Sequence, residues 1–447
     1  MTATSARRVL GAELADGITR GNMWALLSFS TAGTAVISFL PSTQPHILTT
    51  ILGVPESAQG RVVGLLGFAA ELAMILSLAW YGALSDRFGR RLVVIAGLIL
   101  CAAGVALFPF AGNPAVLVAL RVVFGLGVAA LNAMMSTIAI DYVRARSRGK
   151  SYGLIGVFGG LGALVAVLVL VRLPRTLEAQ GLAPVAATRV SFLLIAAGVL
   201  VMAGVLWLTL SPARTGGTEA HVPLPRLVKE GLVLVRDPGV ALSYAASFVA
   251  RADLAIVVGF MSLWITDHAR AGGMSGADAL AKAGAVVGVS QTVALLCAPV
   301  FGWLGDRVRR QDLVIGCQLL AACAYLSTLL VRDPLGADMM VVAVLIGVGE
   351  IAGITTAGPL LAQQVPAAVR GTAFGVHTLC GAAGIMILSA LGGVLYDTWR
   401  PAGPFVAAGV AGLLVAAFGL VVRRRVKASE QADLGREAMP EEGPVRG

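Results

Sequence analysis

The chain has 447 residues, of which 57% are hydrophobic and only 13% charged, and its mean hydropathy is +0.86. Soluble domains average about 25% charged residues, so this composition excludes a soluble protein and places the chain in a lipid bilayer. The net charge of +10 comes without any basic patch interleaved with aromatics, so no nucleic-acid partner is expected.

A helix needs about 20 apolar residues to cross a bilayer. Twelve such runs stand out, at 22–42, 61–83, 92–110, 114–137, 150–171, 190–210, 239–266, 279–304, 312–331, 339–362, 371–395 and 403–423. They are continuous, without the alternation of barrel strands, which predicts an all-α membrane protein of twelve transmembrane helices. Residues 1–20 are polar and show no cleavage pattern, so no removable signal is expected. The first run carries Ser28, Ser30, Thr31, Thr34 and Ser38 but no charge, and the stretch 43–60, with Pro45 and Pro55, is read as an outward-facing loop. Glu71 falls near the middle of the second run and Arg121 inside the fourth, while the fifth is rich in glycine at Gly156, Gly159, Gly160 and Gly162, which permits close helix packing. After the sixth run the composition turns polar, and 211–238 reads as a linker whose later part is amphipathic and basic, suited to a membrane surface. The seventh run carries Arg251 and Asp253, the tenth Glu350 and the eleventh His377; a polar tail occupies 424–447.

Most of the 34 lysines and arginines fall in the N-terminal tail, the even-numbered connections and the C-terminal tail. The positive-inside rule then puts both termini in the cytoplasm, in the cytoplasmic (inner) membrane. Cys101, Cys297, Cys317, Cys323 and Cys380 all fall within runs, where cysteine behaves as a small hydrophobe. No disulfide, metal or cofactor is expected.

The most specific stretch lies between the second and third runs: Gly82-Ala-Leu-Ser-Asp-Arg-Phe-Gly-Arg-Arg91. A charged turn this short must join two spans, and a merely basic turn would explain its arginines but not Gly82, Asp86 and Gly89 at these offsets. It resembles, position for position, the signature loop of the major facilitator superfamily, G-x-x-x-D-R-x-G-R-R. Arg121-Val-Val-Phe-Gly125-Leu-Gly127 is similar to that family's fourth-helix pattern, with Phe124 where glutamine is common; in the fifth run Leu161 stands after Gly160 where the family's drug/proton antiporters have proline. A second copy of the loop, Gly302-Trp-Leu-Gly-Asp-Arg-Val-Arg-Arg310, puts Asp306 220 residues after Asp86, and Arg370 follows Arg148 by 222 in a second repeated motif. Two anchors with nearly one offset imply two related six-helix halves, 1–210 and 239–423.

The resemblance implies a pseudo-symmetric transporter that works by alternating access, with a small-molecule substrate, no enzymatic activity, and function as a monomer. It also implies a conformational latch made of Gly82, Asp86, Arg87, Gly89, Arg90 and Asp141, with Asp306 and Arg307 in the degraded copy. No phosphate-binding loop of the G-x-x-x-x-G-K-[ST] type is present, which argues against an ATP-driven pump. The first expectation is proton-coupled export of a hydrophobic or amphiphilic compound, as symport or antiport. The alternatives are proton-coupled uptake of a small organic anion, with Arg121 and Arg251 as charge partners, and a transporter-like receptor without turnover.

A charge at the centre of a membrane helix costs about 2.5–3.5 kcal/mol on insertion scales, so Glu71, Arg121, Arg251, Asp253 and Glu350 need partners or water. They form either a self-neutralising ion-pair set or a proton-coupling and substrate site. Glu350, with no cation within a turn of its own helix, is the expected proton site. Asp253 is then an ion-pair or substrate contact, Glu71 faces helix eleven, and His377 joins the cavity or merely packs. The two loop copies make a direct test. Asp86→Asn is expected to cripple transport at near-normal abundance, and Asp306→Asn to be milder because its loop has lost the second glycine; flux assays in which Asp306→Asn is equally damaging would reverse that ranking.

Overall fold

The computed structural model describes residues 8–144, 147–211, 224–305, 307–366 and 369–437; the side chains at 78, 79, 82, 83, 86, 148, 224–228, 253–255 and 424–437 lie outside that description. In chain order the elements are β1 (Arg8–Val9), β2 (Ala12–Glu13), α1 (Arg20–His46), α2 (Glu56–Phe88), α3 (Arg90–Leu107), α4 (Pro114–Asp141), α5 (Arg148–Leu168), α6 (Leu173–Ala179), α7 (Pro184–Thr209), α8 (Leu224–Val233), α9 (Pro238–Ile256), α10 (Ser262–Ala271), α11 (Gly276–Gly305), α12 (Arg310–Leu326), α13 (Ala337–Gln364), α14 (Arg370–Thr398) and α15 (Gly403–Glu437). Among the described residues twelve spans are long and apolar enough to cross a membrane. The seventh is α9 and α10 joined through a π-helical turn, Val257–Met261.

The first span corrects the expectation of a loop at 43–60. Helix α1 runs through Pro41 and Pro45 to His46 and continues as a π turn, Ile47–Ile51, before α2 starts at Glu56. Proline removes a ladder hydrogen bond, and in a membrane helix nearby hydroxyls can satisfy the backbone instead. Here Ser42 donates to Ser38 O at 2.8 Å, Thr43 to Phe39 O at 3.1 Å and Thr49 to Pro45 O at 3.0 Å. These hydroxyls bond carbonyls four residues back along the same span, so the polar side chains that looked like a loop are satisfied within the helix. Within the linker Leu224–Val233 form α8, and Gly231 of α8 packs against Val376 of α14.

Within the first half α1 packs on α5, α3 on α4 and α7, and α2 on α4; within the second α9 packs on α13, α14 and α15, and α11 and α12 on α13. Across the halves α2 meets α14 and α5 meets α11. The N-terminal hairpin, the start of α1 and the α2–α3, α4–α5 and α13–α14 connections lie at the same end of the bundle, the terminal face; the opposite one is the distal face.

At the distal face the halves are joined by polar contacts. Asp397 of α14 accepts from the backbone N–H groups of Gly60 and Arg61 on α2 at 2.8 and 2.9 Å and pairs with Arg61 Nε at 3.0 Å. Arg175 of α6 pairs with Asp278 of α11 at 2.6 Å, and Arg270 of α10 donates to Thr50 at 3.3 Å. The helices can come this close because Gly64 has no side chain: a Cβ there would sit 2.5 Å from Ser389 O of α14.

On the terminal face residues 8–13 are not a loose tail. Leu10 and Gly11 have φ of 48° and 81°, as a two-residue type I′ hairpin turn requires, and the hairpin docks on the α4–α5 connection. Arg144 N–H donates to Glu13 O at 3.0 Å, Ala15 N–H to Tyr142 O at 2.9 Å and Glu13 N–H to Ser147 Oγ at 3.1 Å.

The glycine contact predicts that Gly64→Val will insert normally but keep the distal ends of α2 and α14 apart. Transport should fall by at least about tenfold, equivalent to about 1.4 kcal/mol on the barrier, and disulfide trapping between cysteines placed at Arg61 and Asp397 should drop in parallel. Wild-type trapping and flux would show that this approach is not needed for closure.

Candidate functional site

Below the distal seam, between the halves, lies a cavity of about 390 Å³, within the range of small-molecule sites. Its polar lining comes from five helices: Gln44 of α1, Glu71 of α2, Arg121 and Asn132 of α4, Arg251 of α9 and His377 of α14. Met74, Phe124, Val128, Val258 and Phe260 supply apolar walls. The sequence thus delivers charges from separate helices to one depth.

Glu71 is 8% exposed and lies within electrostatic reach of both Arg251 and Arg121. No ion pair within 4 Å joins it to either among the described residues. The Arg121 guanidinium lies 5.2 Å from the Phe124 ring centroid, a cation–π distance, and its Nε is buried with no hydrogen-bond partner. His377 is held by Ser247, whose hydroxyl donates to the His377 carbonyl at 2.9 Å and lies 3.4 Å from Nδ1, while the buried Nε2 has no partner.

Arg121, Arg251, Glu71 and His377 therefore share one chamber. Glu350 does not line it. It is 2% exposed on α13 and accepts from Gln291 Nε2 of α11 at 3.3 and 3.2 Å. Helical periodicity put it on the correct face, since Ile354 and Ala357 on the same side do line the cavity. Depth decides against it: one turn toward the distal end, Gly347 packs on Ser290 of α11 and leaves no open space. The side chain of Asp253 lies outside the described residues.

At the terminal face Gly89 has φ of 91°, a conformation that only glycine adopts freely, and it separates α2 from α3. That break presents Arg90, whose Nε donates to Asp141 Oδ2 at 3.3 Å, and Arg91, which donates to Trp207 O at 3.0 Å and stacks on the Trp207 ring at 4.3 Å. Arg87 stacks over Phe88. In the second copy Arg307 stacks over Trp303 at 4.0 Å and Arg310 donates to Pro359 O at 2.8 Å. Gly82, Asp86 and Asp306 lie outside the described residues or side chains. Sequence reading missed Gln44 and Asn132, which lack charge, and the Arg61–Asp397 seam. A signal for the seam was present in the spacing Gly60, Gly64, Gly67, a small-residue stripe.

The family model of the Major Facilitator Superfamily matches residues 23–294 and 244–444. The chain belongs to the Major Facilitator Superfamily. The magnetosome protein MamH of Paramagnetospirillum magneticum is 25% identical to it over 412 residues, 90% of this chain and 92% of MamH. MamZ of Magnetospirillum gryphiswaldense is 26% identical over 407 residues, 86% of this chain but 60% of MamZ. The fold matches that of a bacterial homolog of the human lysosomal transporter Spinster in an inward-facing, occupied conformation, with a TM-score of 0.66, 18% identity, and coverage of 90% of this chain and 96% of that one. As a superfamily member the protein is a multi-pass membrane transporter with a small-molecule substrate.

The Arg90–Asp141 pair has side chains only 14% and 18% exposed, so screening by water is limited. Asp141→Asn should reduce flux at least about tenfold with abundance nearly unchanged, and the exchanged pair Arg90→Asp with Asp141→Arg should recover part of it. Wild-type flux in Asp141→Asn would remove this pair from the transport cycle.

Proposed function

We propose that this protein is a secondary transporter, not an enzyme, that couples movement of a small solute to protons and works as a monomer in the cytoplasmic membrane. The terminal face is the cytoplasmic one, in keeping with the basic residues that crowd its connections. On this reading the Asp397, Asp278 and Thr50 contacts join the halves on the outer, distal side, which supports an inward-facing state.

The observation that carries proton coupling is a buried carboxylate facing two guanidinium groups across a solute-sized cavity. An ionisable residue at membrane depth is a functional site by default. Glu71 carries the proton: when ionised it competes with a solute for Arg121 and Arg251, and when protonated it releases them. Glu71 is preferred to Glu350 for this role because Glu350 bonds Gln291 of α11 and is not among the residues that line the chamber. A charge crossing 100 mV releases about 2.3 kcal/mol, enough for roughly fifty-fold accumulation.

In proteoliposomes, Glu71→Gln is expected to keep downhill solute exchange and lose proton-driven accumulation, while Glu350→Gln keeps both. Accumulation that survives in Glu71→Gln with unchanged pH dependence, or that vanishes only in Glu350→Gln, would return the role to Glu350.

A further inference from the structure

We propose that the cavity is built to bind an organic oxyanion, a carboxylate or its equivalent carried on an apolar body. The inference deepens the transporter reading and rests on it only in taking this cavity as the solute site. Two buried N–H donors, Arg121 Nε and Gln44 Nε2, line the chamber with no hydrogen-bond partner. His377 Nε2 is a third unpartnered nitrogen there, donating or accepting with its tautomer. The buried oxygens in the same condition, such as those of Gln59, Tyr244, Ser262, Asp267 and Ser290, lie elsewhere. Among the described residues these buried donors therefore have no acceptor within reach.

A buried donor without a partner costs about 1–3 kcal/mol, a cost that a ligand oxygen removes on arrival. Guanidinium groups present planar pairs of N–H donors that fit a carboxylate or phosphate edge. Among the described lining residues two cations, Arg121 and Arg251, face one carboxylate, Glu71. Among these described groups a cationic solute would meet more cation than carboxylate, and an uncharged hydrophobic one would leave the Arg121 donor stripped of water and unpaired. Met74, Phe124, Val128 and Phe260 give the rest of the ligand an apolar wall, and the Phe124 ring lies 5.2 Å from the Arg121 guanidinium. The arrangement sets the anion at α4 and α9, one helix from each half, so the ligand bridges the parts that must move relative to each other.

The test uses the full-length protein in detergent, at constant ionic strength, and scores binding without membrane or gradient. Melting temperature and calorimetry are read with three probes of one shape: benzoate, neutral benzamide and cationic benzylamine, followed by hexanoate and phenylphosphonate. Benzoate or another anion of the set should raise the melting temperature and bind at least about tenfold more tightly than benzamide and benzylamine; Arg121→Gln should lose that preference, and Arg121→Lys recover only part of it. Arg251→Gln gives an independent loss should Arg121→Gln fail to fold, and wild-type selectivity needs no variant. Equal binding of the three shapes, tighter binding of the cation, or no binding by any anion of the set would overturn the proposal. Anion-selective binding without flux would sink the transporter reading and leave this one; proton-driven flux of a cation or neutral solute would do the reverse.

Discussion

Asp397 closes α14 with its side chain 1% exposed, and everything that stabilises its charge comes from the other half. Two backbone N–H groups and one guanidinium of α2 converge on it. A carboxylate buried so completely would be costly alone, so the seam favours the position in which the halves meet at the distal face. Gly60, Gly64 and Gly393 let α2 and α14 come close on the distal side of the chamber. The seam thus combines polar contacts to a buried carboxylate with tight backbone contact.

The chamber inherits its electrostatics from that closure. Glu71, Arg121 and Arg251 each carry the cost of a charge at membrane depth, yet they stop short of forming ion pairs with one another. Paired charges would be neutral and satisfied, and would have little left for a solute or a proton. Charges held within reach but not in contact keep their fields available, so part of the folding free energy is kept as binding capacity. Glu350 illustrates the contrast, since its amide partner from α11 satisfies it locally and takes it out of the chamber.

The twelve spans were legible because hydrocarbon demands long, uninterrupted apolar runs, and the duplicated loop at Asp86 and Asp306 fixed the two-half architecture. What escaped depended on depth or on polar residues satisfied inside a helix. Pro45 read as part of a loop because proline ends most helices in water; here Ser42, Thr43 and Thr49 bond carbonyls four residues back, which keeps their hydroxyls satisfied within the span. Periodicity gave the face of Glu350 correctly, but where a helix of the same half closes over that face is set by Ser290 and Gly347, far apart in sequence. The hairpin at 8–13 escaped because two-residue strands carry no period at all, and its only signal, Leu10-Gly11, is shared with countless loops.

That hairpin also bears on how the first half moves. Residues 12–16 bond to Tyr142, Arg144 and Ser147, the connection that leaves α4 directly after Asp141, and Asp141 pairs with Arg90. Arg91 reaches Trp207 at the end of α7, the Asn22 side chain donates to Thr209 O at 2.7 Å, and Ser211 N–H donates to Tyr142 Oη at 2.9 Å. The starts and ends of α1, α3, α4, α5 and α7 at the terminal face are thus tied into one hydrogen-bonded plate. A half whose helix ends are tied together in this way resists bending at that face and moves as a unit more readily than it deforms. Rigid-body rocking about the chamber is the motion that such a distribution of contacts favours.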